Sequence, residues 1–358
     1  MQFELDEDRA LLKSSTREFL EKESPLADAR SVMEESAEGY EKALYAQLGE
    51  LGYGSLLLSE EQGGMGFRAF AAVLNEMGRI AFPGPFLDAT LAAHVLDACA
   101  TPEAAAWRDR TVSGEALVVL ARLEAGSEIQ AHIEGNRIAG TKRFVPFGAH
   151  ADALLVETRD GLALVSRPGS GWNAIPLPTI DHAQRFAEIT FAGGDEGEEA
   201  ILLADANRAR ALLETVDWIG ALGAAALLLG LMERSLEMTL EHTKEREAFG
   251  APIASFQALQ HRCADALLQT ESTRSAVFRA AWAADESPDT APLLAAVAKG
   301  WAGPAAGYVC GQAIQLHGGV GFTWEYDPHI YLKRAKTLEH FYGSTRTQFE
   351  KVLSLRGL

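Results

Sequence analysis

Three stretches beyond residue 240 carry side chains suited to holding an anion beside a flat ring. The first is Arg246-Glu247-Ala248-Phe249-Gly250-Ala251-Pro252-Ile253, followed by Phe256-Gln257. An arginine fork matches a pyrophosphate, and a phenyl ring three residues on can lie against a heterocycle. The plainer reading is a helix C-terminus with a glycine cap and an arginine that complements the dipole. The second is Gln315-Leu316-His317-Gly318-Gly319-Val320-Gly321-Phe322. Its glycines let another backbone or a ligand approach closely, or simply stop a helix. The third is Phe341-Tyr342-Gly343-Ser344-Thr345. Ser344 or Thr345 can cap the following helix, whose free N–H groups can also hold a phosphate or a carbonyl oxygen. Other chemistries find no foothold. There is no Walker A loop, no GxGxxG after a strand, and no His–Cys–carboxylate cluster at ligand spacing. Ser127 lacks the nucleophile-elbow pattern.

The elements around these stretches fall into three blocks. In residues 1–105, Leu11, Leu12, Phe19 and Leu20 recur at helical spacing, as do Leu44, Leu48 and Leu51. Helices are predicted over about 69–80 and 87–99, between the turn clusters Glu60–Gly66 and Pro83-Gly84-Pro85. Residues 106–200 switch to short apolar runs at 116–120, 153–156, 161–165 and 187–191, with a Gly135-Asn136 hairpin turn. This predicts a small β-barrel or sandwich, with Gly193–Glu199 as a solvated loop. Residues 201–358 return to helices, predicted over about 209–247, 256–285, 291–317 and 346–355. The expected order is α, β, α, an α+β chain of three domains.

Composition narrows the function classes. The chain has 358 residues and a net charge of −18, which leaves no general basic footprint for nucleic acid or an anionic membrane. The charge is uneven: −11, −5 and −2 across the three blocks. The C-terminal block is therefore nearly neutral and holds Arg246, Arg334 and Lys336 as local positive charge. Cys99, Cys263 and Cys310 are too few and scattered for a disulfide framework and read as buried thiols. The N-terminus is acidic where a signal peptide would be basic. The apolar run Ile219–Met232 is shorter than a membrane span needs. The expectation is a soluble, cytoplasmic protein.

In this order and spacing the motifs resemble the acyl-CoA dehydrogenase family, flavoenzymes that desaturate acyl-CoA thioesters. The resemblance covers essentially the whole chain. Glu50-Leu51-Gly52-Tyr53 with Ser59–Gly66 is similar to the family's "LGW…PEEYGGxG". Asn75-Glu76-Met77-Gly78-Arg79 and Pro83-Gly84-Pro85-Phe86-Leu87 resemble its "EELGR…PGPFL" variant. Gly140–Asp152 stands where most members have "GxKxWITNGxxAD". The "RxxFGxxIxxxQ" and "QxxGGxGF" matches are the strongest. The resemblance implies an N-terminal helical domain, a middle β domain and a C-terminal four-helix bundle. It assigns Arg246, Phe249 and Gln257 to the FAD of a neighbouring subunit, and Gln315, Gly318 and Gly319 to its adenine end. Ser344 stands where the family has a threonine that contacts FAD. Phe144 and Pro146 replace the usual Trp and Thr beside the flavin ring. The implied partners are an acyl-CoA substrate, an electron-transfer flavoprotein as acceptor, and further subunits.

One departure is decisive for the chemistry. The family removes the substrate's α-proton with a carboxylate while the β-hydrogen leaves as hydride. In most members that glutamate precedes the glycine of "YEGT", and here the position is Tyr342. A phenol with a reference pKa of about 10 is only about one part in a thousand ionised at pH 7. The alternative position, on the long central helix, is Gly220. Asp217 and Glu339 lie three residues from these positions as surrogates, or as ordinary helix or loop carboxylates. The pattern resembles the glutamate-less subunits of heteromeric bacterial acyl-CoA dehydrogenases that act on steroid side chains or ring acids. Two further readings stay open: a homo-oligomer with a non-standard base, and a structural partner subunit without flavin.

Overall fold

The computed structural model describes residues 5–126, 128–167, 172–194 and 198–358. Ser127, and Asp195 to Gly197 of the expected solvated loop, lie outside them. Six helices come first: α1 (Glu7–Glu23), α2 (Leu26–Glu35), α3 (Lys42–Glu50), α4 (Gly66–Arg79), α5 (Phe86–Cys99) and α6 (Pro102–Val112). Eight strands follow: β1 (Val118–Ala121), β2 (His132–Glu134), β3 (Arg137–Pro146), β4 (Ala153–Thr158), β5 (Gly161–Ser166), β6 (Asn173–Leu177), β7 (Phe186–Ala192) and β8 (Ile201–Asp205). The chain then runs through α7 (Ala206–Glu245), a small hairpin of β9 (Glu247–Ala248) and β10 (Ala251–Pro252), and α8 (Gln257–Glu286). It ends with α9 (Ala291–His317), α10 (Pro328–His340) and α11 (Thr345–Leu355). The order is helices, strands, helices. Two compact units result: Arg30–Gly66 with Pro83–Val216, and Met1–Ala29 with Phe67–Phe82 and Asp217–Leu358.

In the strand-bearing unit, two four-stranded sheets have the orders β1-β4-β5-β8 and β2-β3-β7-β6. Among the described residues only the β1–β4 pair is parallel. Gly135 and Asn136 make the predicted two-residue turn, with Glu134 opposite Arg137. Alternate residues of each sheet point into one core: Val119, Leu154, Val156 and Val165 from the first, Ile138, Val145, Ile189 and Phe191 from the second. The architecture is thus a sandwich. Between Lys142 and Val145 the pairing of β3 with β7 shifts register. The bulge turns Lys142 fully inward, where it pairs with Glu124 and donates to the Arg122 carbonyl at 3.1 Å. Phe144 is left outside, 53% exposed and at φ +50°.

In the other unit, α4 and α7 meet at glycines. A Cβ on Gly78 would lie 2.2 Å from the Leu227 carbonyl oxygen, and one on Gly230 would lie 2.0 Å from that of Asn75. The two backbones therefore touch, and only hydrogen fits at either crossing residue. Charges lock the contact. Glu76, 1% exposed, accepts both fork nitrogens of Arg17 at 2.8 and 2.9 Å. Arg79 grips Glu237 at 2.9 and 2.7 Å and reaches Glu233 at 3.3 Å.

Three expectations change here. Four helices were predicted after residue 201, whereas the described residues form five. The extra one, α10, escaped notice because its buried face includes His329 and Arg334 beside Ile330, Tyr331, Ala335 and Leu338. Although charged Asp217 and Glu233 flank the run Ile219–Met232, α7 is, by length and composition, long and apolar enough to cross a membrane. Yet 83% of that stretch is buried, as in the core helix of a soluble fold. Cys99 and Cys310 are buried as expected, but Cys263 is only partly so. A Gly230→Ala substitution should force the α4 and α7 backbones apart and cost roughly 1–3 kcal/mol. Urea unfolding will show a lower midpoint, and an unchanged midpoint would contradict the crossing.

Candidate functional site

The end of α7 builds one wall of a cleft. His242 stands one helical turn before Arg246, so both lie on the same face. Beyond the helix, the chain folds back through β9 and β10, and the Ile253 amide donates to the Arg246 carbonyl at 2.8 Å. The facing wall is the end of α9, where Gly318 adopts φ +67° and starts a short turn over Gly318–Phe322. The cleft holds about 420 Å³. Four of the seven expected cofactor residues, Arg246, Gln315, Gly318 and Gly319, line it together.

Its chemistry suits an anion and a ring. Among the described residues the Arg246 guanidinium has no ion pair, and a Cβ on Gly318 or Gly319 would meet nothing within 4 Å. Both glycines thus open onto free space where a ligand can approach the backbone. The other three expected residues lie elsewhere. Phe249 sits at the tip of the β9–β10 hairpin at φ +54°, 98% exposed, with Phe256 edge-on at 6.2 Å. Gln257 is exposed at the first residue of α8. Ser344 caps α11 by accepting from the Thr347 amide at 3.3 Å, which is the plain role foreseen for it. Of the expected local cations only Arg246 faces the cleft. Arg334 is buried and Lys336 is paired with Glu339 at 2.9 Å. Phe144 and Pro146 belong to the bulged end of β3 in the other unit.

Sequence reasoning gave no role to His242, His317 or Tyr326 in the cleft wall. His242 and His317 stack face to face, with ring centroids 4.3 Å apart and planes at 20°. Burial lowers both imidazoles below their ordinary value, and for His242 the neighbouring His317 and Arg246 add to the effect. The i, i+4 spacing of His242 and Arg246 was a signal, but nothing in the sequence pairs His242 with a residue at the end of α9.

The two positions where a catalytic glutamate would stand meet each other. A Cβ on Gly220 would lie 2.3, 2.5 and 2.7 Å from the Cδ1, Cε1 and Cγ atoms of Tyr342. The phenol ring therefore lies flush against the bare backbone of α7. Tyr342 itself is held in the left-handed region, at φ +56°, a conformation that persists only when its surroundings enforce it. Gln348 donates to its carbonyl at 2.6 Å, and Lys299 donates to the carbonyls of Glu339 and Gly343 at 3.0 and 2.9 Å. The surrogate carboxylates are engaged with lysines: Glu339 with Lys336, and Asp217 with Lys351 at 3.6 Å.

Comparison with known proteins places the fold in a family. Residues 6–115 match the model for the acyl-CoA dehydrogenase N-terminal domain, and residues 218–354 that for the C-terminal domain. The chain belongs to the acyl-CoA dehydrogenase family, oxidoreductases that act on the CH–CH bond of acyl-CoA thioesters. It is 31% identical to acyl-CoA dehydrogenase IpdE2 of Mycolicibacterium smegmatis, over 97% of this chain and 98% of that one. Among solved structures it resembles the ChsE4-ChsE5 complex of Mycobacterium tuberculosis, at 27% identity and a TM-score of 0.87 over 100% and 99% of the chains. A variant of the Tcur3481-Tcur3483 steroid ACAD is similar at 26% identity and a TM-score of 0.85 over 98% of each chain.

The clamp makes a pH prediction. Burial pushes the Lys299 amine down to about 8, opposed by the Glu339 charge. In the unfolded chain a lysine titrates near 10.4. Between these values the unfolded state binds a proton that the folded state does not, so this group's contribution to stability rises with pH. The unfolding free energy of the wild type minus that of Lys299→Met should be flat below pH 8. It should climb from pH 8 to 10, by at most about 1.4 kcal/mol per unit. Urea titrations of both proteins at each pH will show this, and a difference that falls with pH would refute it.

Proposed function

We propose that the chain is the glutamate-less subunit of a heteromeric acyl-CoA dehydrogenase. In this reading it binds the adenosine half of an FAD whose flavin ring serves the partner, and the partner supplies the base. One observation carries it: Tyr342 and Gly220 fill each other's space, while the cleft stands open around Arg246, which has no ion pair among the described residues.

Distance supports the division of labour. Gly220 and His242 lie on one continuous helix, and twenty-two residues at about 1.5 Å each separate them by about 33 Å. That is longer than an extended flavin dinucleotide, so one FAD cannot span this cleft and the Tyr342 loop of the same chain. Arg246 would hold the pyrophosphate through its fork, the open glycines would admit the ligand to the backbone, and the exposed Phe249 would be covered on assembly. FAD, when bound, supplies the hydride acceptor. The base must be a carboxylate from elsewhere, since those near Tyr342 and Gly220 are engaged with lysines. The acyl group is proposed to be bulky, of the steroid or ring-acid kind, because the similar solved proteins include a steroid ACAD. An electron-transfer flavoprotein is the acceptor that the family resemblance implies.

The experiment is co-expression with a second acyl-CoA dehydrogenase subunit, carrying Arg246→Ala in this chain. Loss of one bidentate phosphate contact should weaken flavin retention at least about tenfold, or roughly 1.5–3 kcal/mol. Flavin content unchanged by this substitution would favour a purely structural subunit instead. Asp217→Asn and Glu339→Gln should leave turnover of the assembly within about twofold of wild type. A collapse of turnover in either would point to a homo-oligomer with its own base.

A further inference from the structure

The stacked imidazoles are more than a wall. Each could be replaced, for stacking alone, by a phenyl ring, yet both positions carry a group that takes a proton. His317 Nδ1 lies 2.7 Å from the Ala313 carbonyl oxygen. A carbonyl only accepts, so Nδ1 keeps its hydrogen in both charge states and Nε2 is the atom that titrates. Protonation would turn Nε2 from an acceptor into a donor. His242 lies against this ring, with Tyr326 edge-on to His317 at 6.4 Å.

In the free cleft a proton on the pair is opposed. Arg246, on the same face of α7, places a positive charge beside it, and a second imidazolium one stacking distance away repels the first. Glu245 is the one carboxylate that acts in the other direction on His242. The Ala313 carbonyl lies against His317 Nδ1, and Tyr326 and Gln315 share the cleft with the two rings. Burial adds to the opposition, and both imidazoles are held below their ordinary range. An internal pyrophosphate brings two negative charges to the same place. It outweighs the single charge of Arg246 and leaves room for one more cation.

We propose that His242 and His317 are a proton-linked part of the dinucleotide site: seating a pyrophosphate against Arg246 loads about one proton onto the stacked pair. This rests on the reading that the cleft takes the adenosine half of FAD. The linkage sign follows. A ligand whose binding takes up a proton binds more tightly as pH falls, by up to tenfold per unit for one full proton.

FAD is the probe, because its pyrophosphate is internal and does not ionise near neutrality. Calorimetric titration of the flavin-free protein, as the full chain and as its assembly, is run in two buffers of different ionisation enthalpy. The expected result is uptake of about half to one proton near pH 7, with affinity rising roughly five- to thirtyfold from pH 7.5 to 6.0. His317→Phe should lose both the proton uptake and the pH slope of FAD affinity. His242→Phe should also flatten the slope while preserving the stack. FAD that binds with the same heat in both buffers and the same affinity across this range overturns the inference and leaves the cleft intact. FAD that binds neither form overturns the cleft reading, and this inference with it.

Discussion

Everything in the helical unit hangs on a place where two backbones touch. Gly78 and Gly230 let α4 press against α7 with nothing but hydrogen between them. Immediately beside this contact Arg79 spans Glu233 and Glu237, and Glu76 is saturated by Arg17. Charges as buried as Glu76 and Glu233 stabilise only when their partners are present, so the network fixes the rotation of α7 as well as its position. That rotation decides which face of the helix looks at Tyr342 and which carries His242 and Arg246. The same rod therefore sets up an occluded loop near one end and an open cleft at the other.

The two ends differ in how they handle polar groups. At the loop, the carbonyls of Glu339, Tyr342 and Gly343 each have a side-chain donor, and a buried lysine is spent on holding backbone rather than on chemistry. At the cleft, a guanidinium has no ion pair among the described residues and two glycines open onto space, while outside it Phe249 projects from a strained turn at the tip of the β9–β10 hairpin. A folded chain left to itself tends to satisfy its charges and cover its aromatics. The cleft departs from that tendency and the loop obeys it. This contrast is the physical basis for treating the chain as a contributor of cofactor contacts rather than of a base.

Much of this was legible in the sequence, and the reasons for the rest are specific. The switch from helical to alternating period exposed the α, β, α order, and the Gly135-Asn136 turn placed the first hairpin. Arg246, Gln315, Gly318 and Gly319 could be grouped because each sits beside a helix end marked by glycine. The Asn75–Arg79 motif could be matched to a family but not explained. Its role in the α4–α7 crossing appears only when Glu76 is seen against Arg17 and Gly78 against Leu227. The His242–His317 stack and the Tyr342–Gly220 contact join residues distant in the chain, and no local pattern announces them. Arg334 was misjudged as local positive charge because a buried arginine and an exposed one look alike in a string of letters.

The central claim is that this chain holds flavin contacts but no base. Anaerobic mixing with acyl-CoA, followed by visible absorbance of the flavin, tests it most directly. The account predicts that this chain, purified alone and supplied with FAD, keeps its flavin spectrum unchanged on adding a steroid-type acyl-CoA. The co-expressed assembly should bleach within a single turnover. Rapid bleaching by the chain alone would contradict the account.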